Sequence, residues 1–156
     1  MDTELENKLA EDFPFMRITI NPDEPKNRNR YVGYGCECGG GWYDLLYGMC
    51  GEITEAYKKH GQPVDIVVDQ IKEKFGTLRF YYHHEGQEKG INAIDFLGAS
   101  IRISSKDTEL HRKISGIVDK WEKKSAEVCE RCGKPGVLRK DLSWVLTLCD
   151  DCYSKK

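Results

Sequence analysis

Four cysteines near the C-terminus form two Cys-x-x-Cys pairs, Cys129 with Cys132 and Cys149 with Cys152. A Cys-x-x-Cys turn can direct both sulfurs at one cation, and two such turns complete a tetrahedral Zn²⁺ shell with Zn–S distances of about 2.3 Å. The spacing therefore predicts one structural zinc ion. Four thiolates leave no open position for a catalytic water. Two disulfides are the alternative pairing of the same residues.

The residues between the two pairs predict a zinc ribbon. Residues 132–136, Cys-Gly-Lys-Pro-Gly, suit a tight knuckle because glycine tolerates positive φ. Residues 137–139 and 144–148 are mostly apolar and β-prone, and residues 140–143 between them, Lys-Asp-Leu-Ser, favour a turn. The predicted module, residues 129–156, is thus two cysteine knuckles joined by a β-hairpin.

A glycine-rich stretch, residues 31–41, precedes a predicted helix. Gly39, Gly40 and Gly41 could let an anion or nucleotide approach the helix N-terminus, with Arg79 as a further cation. No Gly-Lys-Ser/Thr or Gly-x-Gly-x-x-Gly pattern accompanies them, so the nucleotide fingerprints are not met. A turn that caps the helix is the favoured interpretation of the three glycines.

Aromatic and basic residues surround the same stretch. Arg28, Arg30, Tyr31 and Tyr34 are of the types enriched at protein-binding hot spots, so we predict a partner surface there. The nearby Trp42 has a competing interpretation, since it could anchor the start of the helix in the core.

Three further cysteines, Cys36, Cys38 and Cys50, could contribute to a second metal site. Cys-x-Cys is a poorer chelating spacing than Cys-x-x-Cys, and Cys50 lies on the apolar stripe of its predicted helix. Free cysteines commonly behave as small buried hydrophobes, and we favour that role.

Histidines offer a weaker signal. His83, His84 and His111 have no nucleophile or carboxylate at a telling spacing, so we expect surface or sheet-edge positions. The charges of residues 72–74 and of Arg79 are expected to coat the solvent face of a hairpin. No catalytic motif supports an enzyme.

The fold class predicted is α+β. Residues 42–59 and 107–125 are amphipathic helices that should pack on a β-hairpin at residues 64–84, within a small antiparallel sheet. Residues 1–30 are expected to be a polar extension with one β-prone piece at 15–20. The body ends at residue 128 and the zinc ribbon docks on it without a linker. Residues 85–106 favour no element except a short strand within 99–104.

The composition of the chain disfavours some classes of function. The chain has 156 residues, 39% hydrophobic and 32% charged, with a formal net charge of −2. That balance disfavours a strongly basic nucleic-acid-coating protein. No apolar run is long enough to span a bilayer, and the acidic first residues, 1–6, are unlike a secretory signal. We therefore expect a cytoplasmic protein with no membrane partner, where reduced thiols favour metal over disulfide.

Three segments together resemble a family of small phage and prophage proteins: Gly-Gly-Trp-Tyr-Asp-Leu-Leu at 40–46, Ile-Lys-Glu-Lys-Phe-Gly-Thr-Leu-Arg-Phe-Tyr at 71–81, and the cysteine segment 125–152. The resemblance implies a phage-type accessory protein with a ribbon zinc site, and it carries over no established catalytic residues. We expect it to act by binding, foremost by inhibiting a host defence protein. Sequestration of a signalling nucleotide and nucleic-acid binding are the alternatives.

Overall fold

The computed structural model describes residues 1–19, 29–86, 94–96, 99–101 and 108–155. Five α-helices and seven β-strands follow one another in these residues, with short 3₁₀ turns at Pro14–Met16, Gly40–Trp42 and Ser125–Glu127. The helices are α1 (Thr3–Asp12), α2 (Arg30–Tyr34), α3 (Tyr43–Lys59), α4 (Glu109–Lys124) and α5 (Asp150–Ser154). The strands are β1 (Cys36–Glu37), β2 (Ile66–Lys74), β3 (Thr77–His84), β4 (Ile94–Phe96), β5 (Ala99–Ile101), β6 (Val137–Arg139) and β7 (Leu146–Leu148). The predicted α+β class is confirmed.

The main sheet has the order β1-β2-β3. Strands β2 and β3 form the predicted antiparallel hairpin, and Lys74 pairs with Thr77 across a two-residue turn. Strand β1 runs parallel to β2, with Cys36 opposite Ile71. The sheet is therefore mixed and not purely antiparallel. A two-residue strand carries too short a pattern to be recognised from its sequence.

The two predicted helices, α3 and α4, cover the hairpin. Each buries an apolar stripe, and Thr108 caps α4 by accepting a hydrogen bond from the backbone N–H of His111. Helix α4 also covers the edge of β3. Glu122 Oε1 accepts from the Phe80 N–H at 2.8 Å, and Ser125 Oγ accepts from the Leu78 N–H at 2.8 Å. These bonds satisfy strand amides that would otherwise be open to pairing with another chain.

The N-terminal residues belong to the core, which corrects the expected polar extension. Helix α1 begins at a cap in which Asp2 accepts from the Leu5 N–H, and it buries Leu9 completely. Met16 in the following 3₁₀ turn is also buried, and residues 15 and 16 of the β-prone piece lie in this turn and not in a strand. One buried leucine in ten mostly polar residues is a weak amphipathic signal.

The predicted strand within residues 99–104 is present as β5, which pairs antiparallel with β4. The rest of segment 85–106 lies largely outside the described residues. Within the part of the chain that the structure describes, no helix has the length and apolar character needed to cross a membrane.

Candidate functional site

The four C-terminal cysteines converge. One ligand atom from each of Cys129, Cys132, Cys149 and Cys152 lies within 4.8 Å of the others, and the sulfurs of Cys132 and Cys149 are 3.6 Å apart. All four are free thiols with no disulfide between them. A set of four sulfurs at this spacing could hold a metal ion.

Local backbone bonds build both knuckles. The Cys129 N–H donates to Lys134 O at 2.8 Å, and the Gly133 N–H donates to Cys129 O at 2.9 Å. Gly133 has φ +76°, the left-handed conformation expected of a knuckle glycine. Cys149 precedes α5, which carries Cys152, so the second pair spans a loop and the first helical turn. We call residues 128–155 the cysteine module.

The thiols differ in acidity. Burial raises the pKa of the Cys129 thiol, but hydrogen bonds from the backbone N–H groups of Cys149, Cys132 and Arg131 lower it by more. The resulting pKa is about 7. Hydrogen bonds with Cys132 and Cys149 raise the pKa of Cys152 to about 12. Backbone donors aimed at a sulfur favour the thiolate, which is the form that binds metal.

The glycine-rich segment receives this module. The Gly41 N–H donates to Glu130 O, and the Gly39 N–H donates to Glu130 Oε1, both at 2.8 Å. A Cβ on Gly41 would stand 2.3 Å from Cys129 O, and a Cβ on Gly39 would stand 2.3 Å from Glu130 O. The cysteine module therefore fills the space that a bound nucleotide would need. These glycines permit close packing of two backbones.

Trp42 joins the body to the same module. Its ring is completely buried, and its Nε1–H donates to Val128 O at 2.8 Å. The core-anchor interpretation of Trp42 is confirmed. The docking predicted for the C-terminal module is present too, through the backbone of residues 39–41 and this indole.

The cysteine module also contacts the tip of the β2–β3 hairpin. Thr147 Oγ1 donates to Gly76 O at 2.6 Å, and the Gly76 N–H donates to Glu73 Oε1 at 2.6 Å. The second oxygen of Glu73 accepts from the indole N–H of Trp144. One carboxylate thus fixes both the hairpin turn and the tryptophan of the module.

Phe75 occupies that turn in an unusual backbone conformation. Its φ is +54°, and Gly76 follows with φ +76°. Phe75 is the one non-glycine residue with positive φ among the described residues, and its side chain is 65% exposed. A bulky residue in this region is strained by about 1–3 kcal/mol. The strain serves no core packing, since the ring faces solvent.

Phe75 and Trp144, which is also 65% exposed, border a groove of about 600 Å³. Its remaining lining is polar and contains three cations and two carboxylates: Arg30, Glu37, Gln70, Lys72, Glu73 and Lys74. Hydrogen bonds from Gln70 and Arg30 lower the pKa of Glu37, so it is a carboxylate near neutral pH. We call this feature the hairpin–module groove.

The predicted partner residues separate in the structure. Arg30 is exposed and lines the groove, and its guanidinium lies 5.0 Å from the ring centre of the exposed Tyr34. Tyr31 is buried, and its hydroxyl donates to Met16 O at 2.8 Å, so it belongs to the core. Arg28 lies outside the described residues. Gly40 sits against Leu5.

The expectation for Arg79 is wrong, and the expectation for the histidines is met only in part. Arg79 is 3% exposed and donates to Leu78 O and to Thr77 Oγ1, so it does not coat the solvent face. His83 and His84 end β3, an edge strand of the sheet as expected, but they are buried and do not lie on the surface. Consecutive residues of β3 are buried, so both faces of this strand are covered, which an expectation of alternating burial does not include.

The three other cysteines lie in the core of the body. Cys36, Cys38 and Cys50 are at most 7% exposed, and burial raises the pKa of each, that of Cys38 to about 12. Among the described residues no cluster of possible metal ligands includes them. Their favoured role as small buried hydrophobes fits this setting.

Comparisons of the chain with protein-family models, with curated proteins and with solved structures found no match.

Proposed function

We propose that the protein is a non-catalytic, zinc-containing binding protein and that its partner is another protein, recognised at the hairpin–module groove. The observation that carries the proposal is Phe75, a strained and exposed aromatic beside the exposed Trp144. Strain retained at a solvent-facing side chain is a mark of a binding site. Tryptophan and arginine, both present at this groove, are typical hot-spot residues.

Zinc is the ion that suits the four-sulfur cluster. Four thiolates in a closed tetrahedral set are typical of structural zinc, and they leave no coordination position for substrate. The ion would hold both knuckles and hence Trp144, which is carried by the loop between β6 and β7. Metal binding and partner recognition are linked through that loop.

The balance of charge in the groove supports a protein partner over nucleic acid. Three cations face two carboxylates, so the lining carries a formal charge of only +1. Phosphate backbones need several converging cations. Single-stranded nucleic acid remains the second candidate, because Trp144 and Phe75 offer two exposed rings for base stacking beside Lys72 and Lys74. A nucleotide at residues 39–41 has no comparable space.

The resemblance to phage and prophage proteins supports a narrower proposal about the partner. In that setting the protein would act in the host cytoplasm, and a host defence protein is the target we favour. An inhibitor of this kind needs contact area and not chemistry, which agrees with a groove lined by aromatic and charged side chains.

The proposal is tested by capture from host cells with the full chain. Trp144→Ser and Phe75→Ser should lose the partner seen with the wild-type chain in quantitative mass spectrometry. Tyr47→Ser is the matched control, because Tyr47 is also an exposed aromatic residue but does not line the groove. Retention of the partner by both groove variants would refute the site. If the two groove variants lose bound RNA or DNA and not a bound protein, the partner is nucleic acid, the second candidate.

A further inference from the structure

A second group of possible metal ligands lies in the body, outside the cysteine module. Asp65, His84 and His111 each place one ligand atom within 4.8 Å of the others. They come from three elements: the residue before β2, the last residue of β3, and the first turn of α4. Ile66 pairs with His84, and the Glu85 N–H donates to Asp65 O at 2.8 Å, so the sheet register fixes the carboxylate beside the imidazole.

The Asp65 carboxylate spans both imidazoles. His84 Nδ1 lies 2.8 Å from one oxygen, and His111 Nε2 lies 3.7 Å from the other. The Tyr57 hydroxyl donates to the same oxygen as His84, at 2.5 Å. Three nitrogen and oxygen groups thus surround one carboxylate at the end of the sheet, where α3 and α4 approach it.

Hydrogen bonding leaves this group incompletely satisfied. His111 Nδ1 is buried without a hydrogen-bond partner, whereas Nε2 of the same ring is the nitrogen that faces Asp65. The rings of His84 and His111 are stacked, with centres 3.6 Å apart and planes 10° from parallel. A neutral imidazole has one nitrogen with a lone pair that can bind a metal ion.

We infer that Asp65, His84 and His111 form a second metal site, for a divalent transition ion with nitrogen and oxygen ligands. Ligands about 2.0–2.1 Å from a tetrahedral ion are about 3.3 Å from one another. The measured 2.8 and 3.7 Å separations bracket that spacing. Two imidazoles and one carboxylate are a donor set that suits Zn²⁺, Co²⁺ or Ni²⁺.

The site is accessible and has a supporting residue. The Asp65 side chain is 31% exposed, whereas those of His84 and His111 are 8% and 13% exposed, so an ion would enter on the carboxylate side. Tyr57, held by α3, orients the carboxylate through its hydroxyl. Coordination places an ion in the plane of each ring, so binding would tilt the two imidazoles out of their parallel stack. Three protein ligands leave a position for water or for a ligand atom.

Cobalt titration of the zinc-loaded full chain tests the site. We expect one further equivalent of Co²⁺ with weak visible bands typical of nitrogen and oxygen ligands, and without the sulfur charge-transfer band that replacement of zinc in the cysteine module would give. His84→Ala and His111→Ala should weaken this binding by more than roughly tenfold, since even outer-shell changes cost that much. Asp65→Asn, nearly isosteric, should weaken it too.

His60→Ala is the matched control, because His60 Nδ1 contacts Ala56 O of its own helix and His60 is exposed. Imidazole NMR of the wild-type chain with added Zn²⁺ needs no variant: the signals of His84 and His111 should move and that of His60 should not. Absence of the further equivalent, or equal cobalt affinity in the wild type and in His84→Ala, His111→Ala and Asp65→Asn, would overturn the inference.

Discussion

At the scale of single residues, Phe75 is the side chain whose conformation the fold itself does not require. The turn between β2 and β3 has positive φ at both central residues, which is the type I′ geometry favoured by Asn-Gly. A phenylalanine there costs stability and places an aromatic ring in solvent. Partner binding gives a physical reason for keeping it.

Replacing Phe75 by asparagine should therefore separate stability from function. Phe75→Asn relieves the left-handed strain, so the free energy of unfolding should rise by about 1 kcal/mol in urea titrations. Capture of the partner should fall at the same time. Phe75→Tyr is the control, since it keeps both the strain and the ring. A less stable Phe75→Asn chain would contradict our account of the turn.

The seven thiols should fall into two classes by their environment. Burial raises the pKa of Cys36, Cys38 and Cys50, so the reactive thiolate fraction of each is small and stays small well above neutral pH. In the folded chain, a chelator should expose the four thiols of the cysteine module to alkylation and leave these three unmodified. Peptide mass spectrometry measures each site. Fast alkylation of Cys38 at neutral pH would show that this region is open.

At the scale of elements, the backbone of the glycine-rich segment is in direct contact with the backbone of the cysteine module. Three glycines before a helix can allow close approach of either a phosphate or another segment of the same chain. Only the fold shows which of the two lies there. Here Gly41 faces Cys129 O and the amides of Cys132 and Gly133. The module, and not a ligand, occupies this surface.

Gly41→Ala should weaken that contact. Its Cβ would lie 2.3 Å from Cys129 O and 2.6 Å from the Cys132 nitrogen, so the backbones must separate. We expect a loss of about 1–3 kcal/mol in the free energy of unfolding. Gly116→Ala is the control: it lies in α4 with open space around it, and alanine should add roughly 0.5–1 kcal/mol there. Equal stability of Gly41→Ala and wild type would argue against a tight docking.

Elements with a strong local pattern could be predicted from the sequence. Helices α3 and α4 and the β2–β3 hairpin have periodic apolar residues and clear end signals, so their bounds were within two residues of the observed ones. Helix α1 and strand β1 could not be predicted. The first has one fully buried residue, and the second is two residues long and is stabilised by pairing with β2.

The same distinction holds for the sites. The spacing of the four cysteines is a local signal that predicts a metal site. The structure brings these four residues together. Asp65, His84 and His111 lie far apart in the sequence and meet through strand register and helix packing. The groove depends on Glu73, which joins the hairpin turn to Trp144 of the module. No pattern along the chain encodes such a contact.

At the scale of the whole molecule, two apolar clusters of unequal size support the fold. Among the described residues, the body has a cluster of 23 buried residues, whereas the cluster of the cysteine module has three, Cys129, Leu148 and Cys149. So few buried side chains cannot offset the conformational entropy of the module. We therefore expect the body to be stable without a metal and the module to depend on one.

Metal removal should therefore unfold the module locally and leave the body intact. Exchange of the Cys129 amide, which donates to Lys134 O, and of the Glu130 amide, which donates to Thr147 O, should become fast after chelation. The sheet amides near Ile71 and the Phe80 amide, which donates to Glu122, should stay protected, and the helical circular dichroism should persist. Because Thr147 also binds the Gly76 carbonyl, the hairpin tip should loosen with the module. Hydrogen-exchange mass spectrometry before and after chelation measures all three regions. Cooperative unfolding of the whole chain would show that the body needs the metal, and unchanged exchange would show that the module does not.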